Sequence, residues 1–154
     1  MSANDLRTAY AKLCAEAERV PYPRLDAAHR DELDWLLVHI YLSEDIITRA
    51  ARRAAEGLSS VIDNATAMNE KSINSIITST SHNQRVQAMR CAVTAASNAI
   101  DRLQEHDLVR PVQLRIYSRD RQHMQESTVA WREFIGLRIG HIERHGERLR
   151  QTRP

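Results

Sequence analysis

The chain is short of the residues that punctuate a fold: 154 residues carry only 4 Gly and 4 Pro, with 5% aromatics and a single Phe. An all-β sandwich or barrel of this length needs turn residues every ~8–12 positions, so a helical domain is the default. Cysteine is equally scarce. Cys14 and Cys91 lack CxxC spacing and cannot frame a disulfide scaffold, so both are expected to be buried thiols in a reducing compartment. Lysine is nearly absent, with Lys12 and Lys71 the only two among 22 basic residues, and 20 acidic residues leave a net charge of +2. Arg and Asp/Glu are interspersed rather than segregated, so no nucleic-acid partner is expected. The densest basic stretch, Arg110, Arg115, Arg119 and Arg121, also holds Asp107 and Asp120; it reads as a solvated loop or, secondly, as a patch for anions. Long apolar runs are missing too. Residues 33–42 are too short and too polar a stretch to span a bilayer, and no N-terminal segment has a signal-peptide core; no membrane partner and a cytoplasmic location are expected.

What remains is 42% hydrophobic and 27% charged, which suits one globular domain over residues 1–154. Four segments carry helical periodicity. The first runs from about Asn4 to Arg19, with Leu6, Tyr10, Leu13, Cys14, Ala17 and Val20 on one face, and Pro21 and Pro23 end it. The second starts between Asp26 and Asp31 and stops at Gly57. The third opens at Ser81, spaced with Gln84 as a capping box, and repeats Val86, Met89, Val93, Ala96, Ile100 and Leu103. The fourth runs from Glu126 or Ser127 to Arg150. Two long connections separate the last three. One holds a short helix around residues 72–79; the other contains Pro111 and Gln113-Leu-Arg-Ile-Tyr117 and is read as loop. The expected fold class is all-α, a four-helix bundle with long inter-helix connections.

Against this plain background stand seven histidines. Placed at ~100° per residue with Phe134 as origin, His141 and His145 fall within about 20° of it, on the apolar arc of the fourth helix. His39 shares its face of the second helix with Leu36, Ile46, Ile47 and Ala50. Three inward imidazoles need partners, since burying an unsatisfied polar group costs roughly 2–7 kcal/mol on transfer scales. One shared metal ion would satisfy all three. Histidines at i and i+4 lean the same way and can chelate a single ion, and a third from a facing helix leaves an open coordination position. Ile142 follows His141 where a metalloprotease motif needs Glu, and Glu143 lies about 200° around the helix from His141. Paired Glu-x-x-His motifs of a di-iron bundle are absent. His29, His82, His106 and His123 sit near helix ends or loops and are expected at the surface. Arg138, also within the apolar arc, is either an internal ion pair or the anchor for an acidic substrate beside the metal, the catalytic role assigned to it. Tyr41 and Tyr117 offer hydroxyls, and Trp35 and Trp131 are expected in the core.

Asp34-Trp-Leu-Leu-Val-His39-Ile-Tyr-Leu in the second helix and Arg138-Ile-Gly-His141-Ile-Glu-Arg-His145 in the fourth resemble the DinB/YfiT-like superfamily of metalloenzymes. Within it they are similar to the branch containing the N-terminal domain of mycothiol-dependent maleylpyruvate isomerase. The resemblance spans nearly the whole chain in helix order. It implies a DinB-type four-helix bundle, a divalent ion (zinc foremost, nickel second) held by His39, His141 and His145, and a homodimer. It further implies S-transferase or isomerase chemistry with a low-molecular-weight thiol such as mycothiol and an electrophilic substrate. The chain ends at Pro154 without the isomerase's additional C-terminal domain, so maleylpyruvate itself is not the expected substrate. A metal-dependent hydrolase, a non-catalytic metal-binding or stress-response module, and a metal-free helical interaction domain remain open from the residues alone.

Overall fold

In the computed structural model, which describes residues 2–152, the chain is mostly helical. Met1, Arg153 and Pro154, the ends of the expected domain, lie outside the described residues. Helix α1 (Ala3–Arg19) starts from a capping box between Ser2 and Asp5 and gives way to the Pro21–Pro23 corner. Asp26 caps α2 (Ala27–Ala55) by accepting the His29 backbone N–H at 2.8 Å. Beyond its end Gly57 takes φ +79°, a left-handed conformation that glycine adopts without strain. Asn69 caps α3 (Glu70–Ser79), and the expected Ser81–Gln84 box opens α4 (His82–Asp101). A single turn, α5 (Glu105–Leu108), follows α4, and α6 (Trp131–Gln151) is the last element of the described chain.

Three strands correct the all-α expectation. β1 (Ser60–Asp63) pairs parallel with β2 (Pro111–Tyr117), and β2 pairs antiparallel with β3 (Met124–Ala130), in the order β1-β2-β3. Residues 113–117, expected as loop, therefore lie in a strand. Val112 and Leu114 turn into the core while Arg115 points to solvent, the period of two that a half-buried strand requires. The fourth long helix begins at Trp131 rather than at Glu126 or Ser127, because those residues pair with Arg115 and Leu114 across the sheet.

The long helices pack α2 on α4, α4 on α1 and α1 on α6 around one cluster of apolar side chains. Leu33, Leu37, Ile40, Met89, Ala96, Ile100, Trp131 and Leu149 are among its fully enclosed members. Where α2 faces α6 the two meet through side chains rather than by close backbone approach. That seam is filled by polar groups. A second buried polar pair, Arg85 Nη2 to Asp34 Oδ1 at 2.8 Å, ties α4 to α2, and the Tyr22 hydroxyl donates to Asp34 Oδ2 at 3.0 Å. The cysteines depart from expectation. Cys14 is half-buried, and Cys91 is exposed on the outward face of α4 beside the Gln87 amide. No helix among the described residues is long and apolar enough to cross a membrane.

Candidate metal centre

The seam between α2 and α6 gathers His39, His141 and His145, each offering one ring nitrogen, with all three atoms within 4.8 Å of one another. Helical geometry accounts for the α6 pair: at i and i+4 their rings meet edge to face with centroids 4.3 Å apart. His39 comes from α2 and meets the His145 ring at 5.4 Å. Its orientation is fixed on two sides. Trp35, one turn earlier in α2, stacks on the ring at 4.8 Å, and the Ala67 carbonyl lies 2.8 Å from Nδ1. A carbonyl oxygen only accepts, so Nδ1 carries the proton and Nε2 is left with a free lone pair. That is the support a metal-binding histidine needs.

His145 makes the case for a ligand most directly. It is 4% exposed, and neither of its buried ring nitrogens has a hydrogen-bond partner. Buried polar atoms are nearly always paired, so two orphaned nitrogens on one ring mark a place where something else binds. A divalent ion fits. The three donors are imidazoles with no carboxylate among them, a set that suits zinc or nickel and not the oxygen-seeking magnesium or calcium. His141 is the outermost of the three, and the exposed Arg144 donates to its Nδ1 at 3.3 Å.

Burial keeps all three imidazoles neutral. Desolvation lowers His39 to about 4, with the Ala67 hydrogen bond opposing it and the Arg138 charge adding to it. His141 falls to about 3, through burial first and then the charge of Arg138, and His145 is pushed lower still by burial and by His141. A metal ion therefore displaces no protons near neutrality. At pH 6.0 zinc binding is expected to release almost none, whereas three ordinary histidines would release about two. Calorimetry in buffers of different ionisation enthalpy reads the difference; release of two protons contradicts the buried-site account. The linkage to stability has a definite sign. Because the folded values lie below the unfolded 6.5, the contribution of the neutral histidines to the stability of the metal-free protein is complete above pH 6.5 and is lost as pH falls through about 4 and 3.

Arg138 is buried as the sequence predicts, but its guanidinium is committed to an internal ion pair with Glu44, whose other oxygen accepts from the Tyr10 hydroxyl. Glu44 is completely enclosed. The Arg138 Nε has no partner, and burial together with the Glu44 charge raises the Tyr10 hydroxyl well above its ordinary value. Glu44 has no place in the sequence expectations, and Tyr10, expected on the apolar face of the first helix, carries no sign there of its hydroxyl's partner. A signal for Glu44 was present: it interrupts the buried stripe Ile40, Ile47 and Ala51 of α2, where an acid needs a buried cation. The Ala67 carbonyl carried no signal, being a backbone group of the short 3-10 turn Thr66–Met68. Of the other histidines, His29, His106 and His123 are exposed as expected, while His82 is half-buried and stacked on Tyr22 at 4.1 Å. Trp35 is in the core as expected and also touches the site; Trp131 is fully buried.

No protein-family profile, no curated protein and no solved structure matches the chain.

Proposed function

We propose that the chain is a divalent-metal-dependent enzyme that transfers or adds a low-molecular-weight thiol, mycothiol or one like it, to an electrophilic substrate. One observation carries the metal half of this reading: three neutral imidazoles converge in the α2–α6 seam, and His145 has no other partner for either ring nitrogen. The thiol half rests on the resemblance of the segments around His39 and around Arg138, His141 and His145 to DinB/YfiT-like proteins.

In this reading His39, His141 and His145 would hold the ion, zinc or nickel, while Ala67 and Trp35 fix the His39 ring and leave its Nε2 lone pair free. When bound, the ion supplies Lewis acidity that favours the nucleophilic thiolate over the thiol at neutral pH. With three protein donors, a bound ion would keep a position open to a ligand. Arg138 acts on the site through its charge, because Glu44 already occupies its guanidinium. Such a protein works in the cytoplasm, where thiols stay reduced, and as a monomer or homodimer.

The test is consumption of a thiol in the presence of an electrophile by the zinc- or nickel-loaded protein. His39→Ala is expected to lower the rate at least about 100-fold, the upper end of what losing a supporting residue costs. Chelation is expected to abolish it. Turnover that survives chelation contradicts the proposal. Ester or amide hydrolysis without thiol would assign the same site to a hydrolase, and bound metal without turnover of either kind would assign it to a non-catalytic module.

A further inference from the structure

Between the first turn of α3 and the turn joining β2 to β3 lies an open cavity of about 680 Å³. One side chain links it to the histidine cluster. Trp35 stacks on His39, donates its Nε1–H to Glu70 on the cavity wall at 3.2 Å, and carries the Arg119 guanidinium 3.7 Å from its ring centre. Met68, next after the Ala67 carbonyl that orients His39, is also part of the wall.

The charges around this cavity are unevenly committed. Glu70 is taken by the Trp35 indole, and Asp120 accepts the Ser118 hydroxyl at 2.6 Å and the Gln122 backbone N–H at 2.9 Å. Arg119 is held by both oxygens of Glu32, at 3.0 and 3.2 Å, and Glu32 also pairs with Arg148 of α6. Lys71 and Arg121 are different. Among the described residues neither has a carboxylate partner; the Arg121 guanidinium lies 5.6 Å from the Tyr117 ring and its backbone takes φ +61°. Three cations, two of them without a carboxylate partner, thus share a concave surface with two carboxylates, Glu70 and Asp120, which keep their charge but are held in place by neutral donors. The N-terminal end of α3 adds its partial positive charge.

We propose that this cavity binds an oxyanion, a carboxylate or a phosphate, through Lys71 and Arg121, with Arg119 as the fixed third cation against Trp35. Resting on the thiol-transfer reading, this makes the acceptor an acidic electrophile whose anionic end sits by the β2–β3 turn, coupled to the histidines through Trp35. Charge-assisted hydrogen bonds from ammonium and guanidinium donors are the strong kind, so the recognition is polar and sensitive to salt. The basic stretch that reads in the sequence as loop or anion patch is thereby divided. Arg115 pairs with Glu126 across the sheet, while Arg119 and Arg121 serve the cavity.

Succinate and inorganic phosphate, titrated separately into the metal-free full-length protein at constant ionic strength, test this through tryptophan fluorescence and calorimetry. Trp35 is the reporter, since it touches Arg119 and Glu70 whereas Trp131 is fully enclosed elsewhere. Saturable binding of either anion is expected, and the tighter of the two assigns the carboxylate or the phosphoryl class. Lys71→Gln/Arg121→Gln is expected to weaken it at least about tenfold. Arg52→Gln/Arg102→Gln, in a separate groove between α2 and α4, is expected to leave it unchanged. No saturable binding by either anion, or equal weakening by the two double variants, overturns the proposal. Metal binding is measured independently on the same protein. Anion binding without metal binding removes the thiol-transfer reading and leaves the subsite; metal binding without anion binding removes the subsite alone.

Discussion

Replacing His145 with leucine is expected to stabilise the metal-free protein by about 1–3 kcal/mol while removing its metal binding. The imidazole is buried with both nitrogens unpartnered, so without metal it costs the fold the desolvation of two polar atoms and returns no hydrogen bond. Leucine fills a similar volume and has nothing to leave unsatisfied. Urea unfolding in the presence of a chelator measures the gain. With saturating zinc the order reverses: wild type gains about 4 kcal/mol at a thousandfold excess over its dissociation constant, and the variant gains nothing. A variant destabilised in chelator like any other core substitution would mean that His145 is a packed core residue and not a ligand kept at the expense of stability.

The Glu44–Arg138 pair is expected to give the largest loss. Glu44→Leu leaves a buried guanidinium without its counter-charge and the Tyr10 hydroxyl without its acceptor, at about 3–5 kcal/mol. The double variant Glu44→Leu/Arg138→Met removes both charges and is expected to return most of that stability. The pair also governs the site. Arg138 lowers the proton affinity of all three histidines and opposes a cation there in the same way, and removing its partner Glu44 strengthens that opposition. Zinc affinity is therefore expected to fall in Glu44→Leu and to recover in the double variant. Wild-type stability in Glu44→Leu, or equal zinc affinity in both variants, contradicts this role.

The helices were legible because their signals are local. Pro21 and Pro23 end α1, Asp26 and Ser81 cap α2 and α4, and Gly57 supplies the left-handed exit from α2. The histidine cluster was legible for a similar reason: a four-residue spacing and an apolar arc are properties of one helix, and they put His141 and His145 on the same side. The sheet was not. β3 is exposed along most of its length and has neither apolar alternation nor a turn dipeptide; it is a strand because β2 lies beside it, and Ser127 resembles a helix cap only until that pairing is known. β2 did carry a period-two signal, Val112, Leu114 and Ile116 alternating with Gln113 and Arg115, but a single short run beside Pro111 reads equally well as loop until β1 and β3 are seen to flank it. Arg138 could be seen to need a partner, but choosing Glu44 over a substrate carboxylate takes the register of α2 against α6, which is tertiary information. The same holds for the Ala67 carbonyl and for the cavity at the β2–β3 turn.

The most direct test of the central claim is the metal content and coordination of the purified protein after loading with zinc, read by elemental analysis and X-ray absorption. One ion per chain is expected, with three imidazole nitrogens at about 2.0–2.1 Å, and none in His141→Ala/His145→Ala. No bound ion in the wild type, or the same content in the double variant, would contradict a metal centre at His39, His141 and His145.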